Sequence, residues 1–193
     1  MFQKEMTKEA VNELPIQRYE GKIVIVANEA QMQEALGEIA ESPVIGFDTE
    51  TKPAFKKGEY NAVSLLQIAA EHAVYLFRLN LIGFPSDLAA IFEDRSIIKT
   101  GISIRDDIKE MTKIRDFNPQ NIVELNTVAK ELEIRHAGVR RLAAIFLGVR
   151  ISKAQQTTNW EREVLTPQQL VYAATDAWVC LEIYKKLEDL GYI

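Results

Sequence analysis

The sequence predicts an α/β protein, a mixed β-sheet flanked by helices. Short apolar segments with strand character alternate with amphipathic helical ones. Two strand segments are separated only by Glu71-His72, a gap that admits nothing but an antiparallel hairpin, so the sheet is mixed. The 193 residues are 47% hydrophobic and 26% charged, ordinary for one domain with a large core. With 9 Gly and 6 Pro the chain is not a disordered one. Apolar runs such as Leu142 to Leu147 are far too short to cross a membrane as a helix.

Residues 1–21 read as a polar N-terminal arm, helical from Thr7 to Leu14 and closed by Pro15, ahead of a single domain over 22–193. Lys22 to Val26 is a strand. Asn28 then caps a helix over 29–41, with Gln31 at the capping-box position and Met32, Leu36, Ile39 and Ala40 on one face. Pro43 breaks it, and Val44 to Phe47 is the central strand. Asn61 to Ala70 and Ala73 to Phe77 form the hairpin. Pro85-Ser86 opens a helix carrying Leu88, Ile91 and Phe92. Ser96 to Lys99 is a fifth strand, and Ser103 caps a helix with Ile104, Ile108 and Met111 inside. From Val123 onward the pattern is mostly helical. The last helix has the clearest start: Thr166 caps it, Pro167 fills the first turn and Gln169 completes a capping box.

Chemistry concentrates at the ends of these elements. Asp48 and Glu50 leave the central strand on one face and Thr49 on the other. Alone, the pair reads as a solvated strand end; its repulsion also makes it a hard-cation site for an ion such as Mg²⁺. On the last helix Leu170, Ala174, Ala177, Leu181 and Tyr184 form one apolar stripe, and Tyr172, Asp176, Val179, Ile183 and Leu187 form another. Asp176 therefore lies either on a buried stripe, where a carboxylate needs a partner, or at a solvent edge. Tyr172, one turn earlier, reaches whatever Asp176 holds. Of the neighbouring acids Asp106 and Asp107, the helical wheel turns Asp107 toward the apolar face. Asp106 is explained by the helix dipole. Four inward-leaning carboxylates and one tyrosine are the inventory of a two-metal phosphodiester-cleaving site.

In order, Asp-x-Glu on a strand, a later Asp, and Tyr-x-x-x-Asp on a helix resemble the DEDD superfamily of 3'-5' exonucleases in its tyrosine-bearing branch. Val44 to Glu50 (VIGFDTE), Ser64 to Ile68 (SLLQI), Lys99 to Ile108 (KTGISIRDDI), Thr158-Asn159-Trp160 and Leu165 to Ala177 (LTPQQLVYAATDA) are similar to the exonuclease domain of Werner-type proteins, and more distantly to ribonuclease D. The similarity covers roughly residues 22–190. It implies a ribonuclease H-like fold over 22–193, with two divalent cations, Mg²⁺ or Mn²⁺, held by Asp48, Glu50, Asp107 and Asp176. Tyr172 would orient the attacking water, and nucleoside 5'-monophosphates would leave from a nucleic acid, DNA or RNA, with a free 3' end. Two positions depart from the pattern: Thr51 stands where relatives often carry Trp, and Ser103 where a glycine is common. The resemblance brings no helicase, so a free-standing exonuclease domain is expected.

The charge, 23 basic against 28 acidic residues, argues on its own against a nucleic-acid binder. Its distribution is uneven. Arg135 to Lys153 holds five basic residues and no acid, leaving −10 on the remainder. Arg140, Arg141 and Lys153 read equally as a phosphate rail or as the solvated side of a helix packed through Leu142, Phe146 and Leu147. Lys56 and Lys57, beyond Glu50, are further phosphate contacts, and His136 a weaker one. Trp160, Trp178 and His72 read as structural. The alternatives are a non-catalytic nucleic-acid-binding or partner-dependent module on the same fold, and a small-molecule phosphohydrolase, which needs a closed pocket. The start has no signal-peptide pattern and Cys180 has no partner for a disulfide, so a cytoplasmic protein without a membrane segment is expected.

Overall fold

A computed structural model describes residues 2–56, 58–135 and 137–193. Its elements are α1 (Lys8–Glu13), β1 (Lys22–Val26), α2 (Glu29–Ala40), β2 (Val44–Thr51), β3 (Val63–Ala69), β4 (Ala73–Phe77), α3 (Leu79–Ile82), α4 (Ser86–Glu93), β5 (Ile98–Gly101), α5 (Ile104–Ile114), β6 (Ile122–Glu124), α6 (Leu125–Glu131), α7 (Val139–Leu142) running into a π-helical turn (Ala143–Leu147), and α8 (Pro167–Asp189). The six strands lie in the order β1-β4-β3-β2-β5-β6. The β2–β3 and β3–β4 pairs are antiparallel and the other three parallel, so the expected hairpin gives a mixed sheet.

Strand alternation sorts the sheet into two faces. Ile45, Phe47, Leu66, Ile68, Tyr75 and Phe77 pack with residues of α2 and α4 and with Ile104 and Met111 of α5. Leu65, Ala69, Val74 and Leu76 take the opposite face, under Ala173, Ala174, Ala177 and Leu181 of α8. Register fixes this assignment, because Gly46, Asp48 and Glu50 lie opposite Ala69, Gln67 and Leu65 and share their face. Helix α8 comes down onto β2 because Gly46 has no side chain. A Cβ there would lie 2.3 Å from the Ala177 carbonyl oxygen and 2.7 Å from the Leu181 nitrogen.

Several boundaries differ from the sequence reading, each for a local reason. Strand β2 runs four residues past Phe47, through both acids, because its ladder with β3 continues to Thr51 with a bulge after Glu50. Strand β5 starts at Ile98, not Ser96, since Ser96 closes a turn on Asp94 Oδ1 (N–H 2.7 Å, Oγ 2.6 Å). A sixth strand, β6, went unforeseen; three residues beside β5 carry too little periodicity. The chain is not helical between Gly148 and Thr166. Ser103 occupies the cap position of α5, yet its side chain makes no capping bond. Its backbone is left-handed (φ 64°), the conformation in which glycine is at ease.

The arm is helical only over Lys8–Glu13, and it is fastened to the domain. Val11 is buried, and Phe2 meets Phe146 edge-on at 4.6 Å. The Gln17 N–H donates to the Arg150 carbonyl (2.8 Å), and the Arg150 N–H to that of Pro15 (2.9 Å). The Tyr19 N–H donates to Thr175 Oγ1 (3.0 Å). No described helix is long and apolar enough to cross a membrane.

Candidate active site

The acids meet where β2 ends beneath α8. Asp48 and Glu50 point to the α8 side, and Gly46, two residues earlier, lets α8 approach closely enough for Asp176 to join them. One carboxylate oxygen from each of the three lies within 4.8 Å of the others. Glu50 and Asp176 are buried, and among the described residues none of the three takes part in a salt bridge.

Three crowded, desolvated carboxylates resist ionisation. Burial, then the charge of Asp176, then that of Asp107 push Glu50 up to about 9. Asp48 is driven well above the ordinary aspartate range by burial first and by Asp176, Asp107 and Glu50 after it. Burial lifts Asp176 to about 7, against the opposing pull of Tyr172 and Lys153. A cluster of carboxylates with no salt-bridged cation among the described residues is matched to an external one. All-oxygen donors suit a hard divalent ion. The residues fit such a group.

Asp107 stands apart from that trio. It comes from α5, on the other face of the sheet, and its carboxylate accepts a hydrogen bond from the Thr49 hydroxyl. That bond works against the burial that raises Asp107 to about 6. Its charge still reaches Asp48 and Glu50. Asp106 is exposed, so the wheel chose correctly between the two.

Tyr172 is buried one turn before Asp176, its ring centroid 6.0 Å from that of the fully buried Trp160. Burial foremost, and then the neighbouring carboxylates, hold its phenol far above its ordinary pKa, so it stays protonated. Tyr172 also lines a cleft of about 790 Å³, together with arm residues Ile16, Gln17 and Arg18 and with Ser152, Ala154 and Gln155. Gln67, directly across from Asp48 in the ladder, is fully buried with neither amide atom hydrogen-bonded among the described residues. The one hint of it in the sequence is a lone amide inside the apolar run SLLQIA.

The candidate phosphate contacts fall into two groups. Arg140, Arg141 and Lys153 line one small pocket, which Lys8 of the arm also lines; Lys8 carried no signal in the sequence beyond its charge. Lys56 is exposed in the loop after β2. Lys57 and His136 lie outside the described residues. Trp160 is core and His72 sits in the exposed bend between β3 and β4; Trp178 is half-buried against Tyr19.

Residues 23–191 match the sequence model of the 3'-5' exonuclease family. The chain is 33% identical over 190 residues to the mouse bifunctional 3'-5' exonuclease/ATP-dependent helicase WRN, covering 92% of this chain and 13% of that protein. It is 30% identical over 148 residues to exonuclease 3'-5' domain-containing protein 2 of Drosophila melanogaster, 75% of this chain and 25% of that one. The chain thus spans a quarter or less of these relatives. In fold it is similar to the Aedes aegypti Nibbler EXO domain (TM-score 0.80, 24% identity, 91% of this chain and 94% of that one). It is also similar to Escherichia coli RNase D (TM-score 0.73, 21% identity, 89% and 47%). The architecture is therefore ribonuclease H-like. Because the family match takes in β1 through α8, and with them every acid discussed above, the chain belongs to the DEDD-type 3'-5' exonuclease domain family.

Proposed function

We propose that the chain hydrolyses the terminal phosphodiester at the 3' end of a nucleic acid and releases nucleoside 5'-monophosphates, as a member of the tyrosine-bearing branch. The observation that carries this is the trio Asp48, Glu50 and Asp176, gathered at one strand end with no salt bridge to a cation among the described residues. Asp48, Glu50 and Asp176, with Asp107 from the opposite face, would hold two divalent cations, Mg²⁺ or Mn²⁺. Such ions, when bound, lower the pKa of water and neutralise charge on a scissile phosphate and its leaving oxygen.

The remaining work falls to the chain. Tyr172 keeps its proton, so it serves as a fixed hydrogen-bonding group that orients water and not as a base. Trp160, packed beside its ring, limits its movement. Lys153 is exposed and lines one pocket with Arg140 and Arg141, which supports reading the three as phosphate contacts. Lys56 and Lys57 would meet phosphates from the loop after β2. Residues 22–193 form the exonuclease unit and residues 1–21 an arm bound to it. The one thiol, Cys180, is buried and free, in keeping with a reducing cytoplasm.

The test is digestion of 5'-labelled DNA and RNA oligonucleotides with Mg²⁺ or Mn²⁺. A 3'-5' ladder is expected, lost on chelation and in Asp48→Ala. Shortening that survives either treatment defeats the mechanism.

A further inference from the structure

The arm does more than pack. Its helix α1 and the segment around α7 enclose a pocket of about 370 Å³. The pocket's charged lining is Lys8, Arg140, Arg141 and Lys153, with no acid among it. None of the four forms a salt bridge among the described residues, in a chain whose net charge is −5. The Arg140 Nη2 donates to Asn12 Oδ1 at 3.2 Å, a neutral acceptor, and its buried Nε–H meets no acceptor among the described residues. The guanidinium is thus held in place by the arm without being neutralised.

Helical spacing explains how an arm rich in glutamate presents a cation here. Lys8, Val11 and Asn12 share one side of α1, while Glu9 and Glu13 are turned about 100–140° away from Lys8. Val11 is buried and anchors that side. Further ties fix the arm: the Arg135 N–H donates to the Lys4 carbonyl (2.8 Å), and Lys4 pairs with Glu133. Four cations converging on a small open pocket repel one another unless an anion joins them. Lys153 lines this pocket, and its chain neighbours Ser152 and Ala154 line the cleft that also includes Tyr172.

We propose that Lys8, Arg140, Arg141 and Lys153 bind a backbone phosphate of the nucleic-acid strand upstream of its 3' end, with the N-terminal arm as one wall of the grip. The inference rests on the exonuclease reading and gives the arm a role in holding substrate.

The test measures anisotropy of labelled single-stranded oligonucleotides across a salt series, in the Asp48→Asn background to suppress turnover. Lys8→Gln and Arg141→Gln are compared with Lys130→Gln, the same charge change on exposed α6. Lys8→Gln and Arg141→Gln should each weaken binding roughly fivefold near 0.1 M salt and lower the slope of log K against log salt by about one. Lys8→Arg should restore binding, and Lys130→Gln should leave it as it was. Equal effects of Lys8→Gln and Lys130→Gln would overturn the pocket. Dependence on Lys8 for free nucleoside monophosphate but not for oligonucleotide would overturn the strand assignment. The exonuclease reading fails by a separate result, wild-type protein that leaves oligonucleotides intact with Mg²⁺ or Mn²⁺.

Discussion

Replacing Glu50 by glutamine removes one charge from the crowded trio and keeps nearly the same volume. In the folded protein Glu50 titrates at about 9 against 4.5 for an ordinary glutamate, so between those values the folded state holds a proton that the unfolded state has released. Its contribution to stability is whole below about 4.5 and is lost as pH rises through about 9. One pKa unit is worth about 1.36 kcal/mol, so at pH 8 the loss from Glu50 is bounded at roughly 5 kcal/mol. Structural relaxation and the effective dielectric around buried charges lower such penalties, and roughly 2–3 kcal/mol is expected to remain. Asp48 and Asp176 are displaced in the same direction and steepen the trend.

Thermal unfolding in EDTA, read at about pH 5 and about pH 8, measures this directly. Wild type should lose stability toward the higher pH, and Glu50→Gln should melt roughly 5–10 °C above it there. Added Mg²⁺ should stabilise wild type much more than the variant, because a ligand of the folded state alone shifts the midpoint by mass action. A wild-type midpoint that is flat across that range, or a variant that melts at or below wild type at the higher pH, would refute the electrostatic account of the site.

Four further outcomes follow from particular contacts. Tyr172→Phe removes the phenol that orients water and should lower kcat roughly 10²-fold, with KM for an oligonucleotide within about twofold in steady-state digestion. Gly46→Ala puts a methyl group 2.3 Å from the Ala177 carbonyl oxygen and should cost roughly 2–3 kcal/mol in denaturant unfolding while weakening Mg²⁺ binding, because α8 carries Asp176 away from Asp48. Ser103→Gly relieves a left-handed φ of 64° and leaves the N–H bonds to Glu124 (2.8 Å) and Asn126 (2.6 Å) in place. Its unfolding midpoint should rise by the equivalent of roughly 0.5–1 kcal/mol. Thr49→Val deletes the donor that opposes the burial of Asp107, so the Asp107 carboxyl should titrate above its present value of about 6 by NMR.

What could be read from the sequence was whatever obeys a period or a fixed spacing. The capping box Thr166–Gln169 located the start of α8, while the two stripes left Asp176 either buried or at a solvent edge; the structure buries the helix continuously from Tyr172 to Ala177. The hairpin followed from its two-residue gap, and the wheel separated Asp107 from Asp106. Where several segments compete for the same residues, one-dimensional reasoning had no purchase. The alternation that turned Thr49 away from Asp48 and Glu50 was read correctly. That α5 would come against that same reverse face, and that Thr49 would hold Asp107 there, depends on how a helix after β5 crosses the sheet.

The arm shows the same limit from the other side. Its sequence is polar and mixed in charge, which reads as a solvated extension. Docking depends on backbone bonds from Gln17 and Tyr19 and on one buried valine, none of which has a period of its own. Only after those bonds form does Lys8 come to face Arg140 and Arg141, residues more than 130 positions away in the chain. The acids and the cations therefore differ in how they are specified. The acids sit on a central strand and a buried helix whose patterns fix them locally. The cations converge only through tertiary docking, so substitutions that loosen the arm should weaken grip on long strands while leaving the acid trio in place.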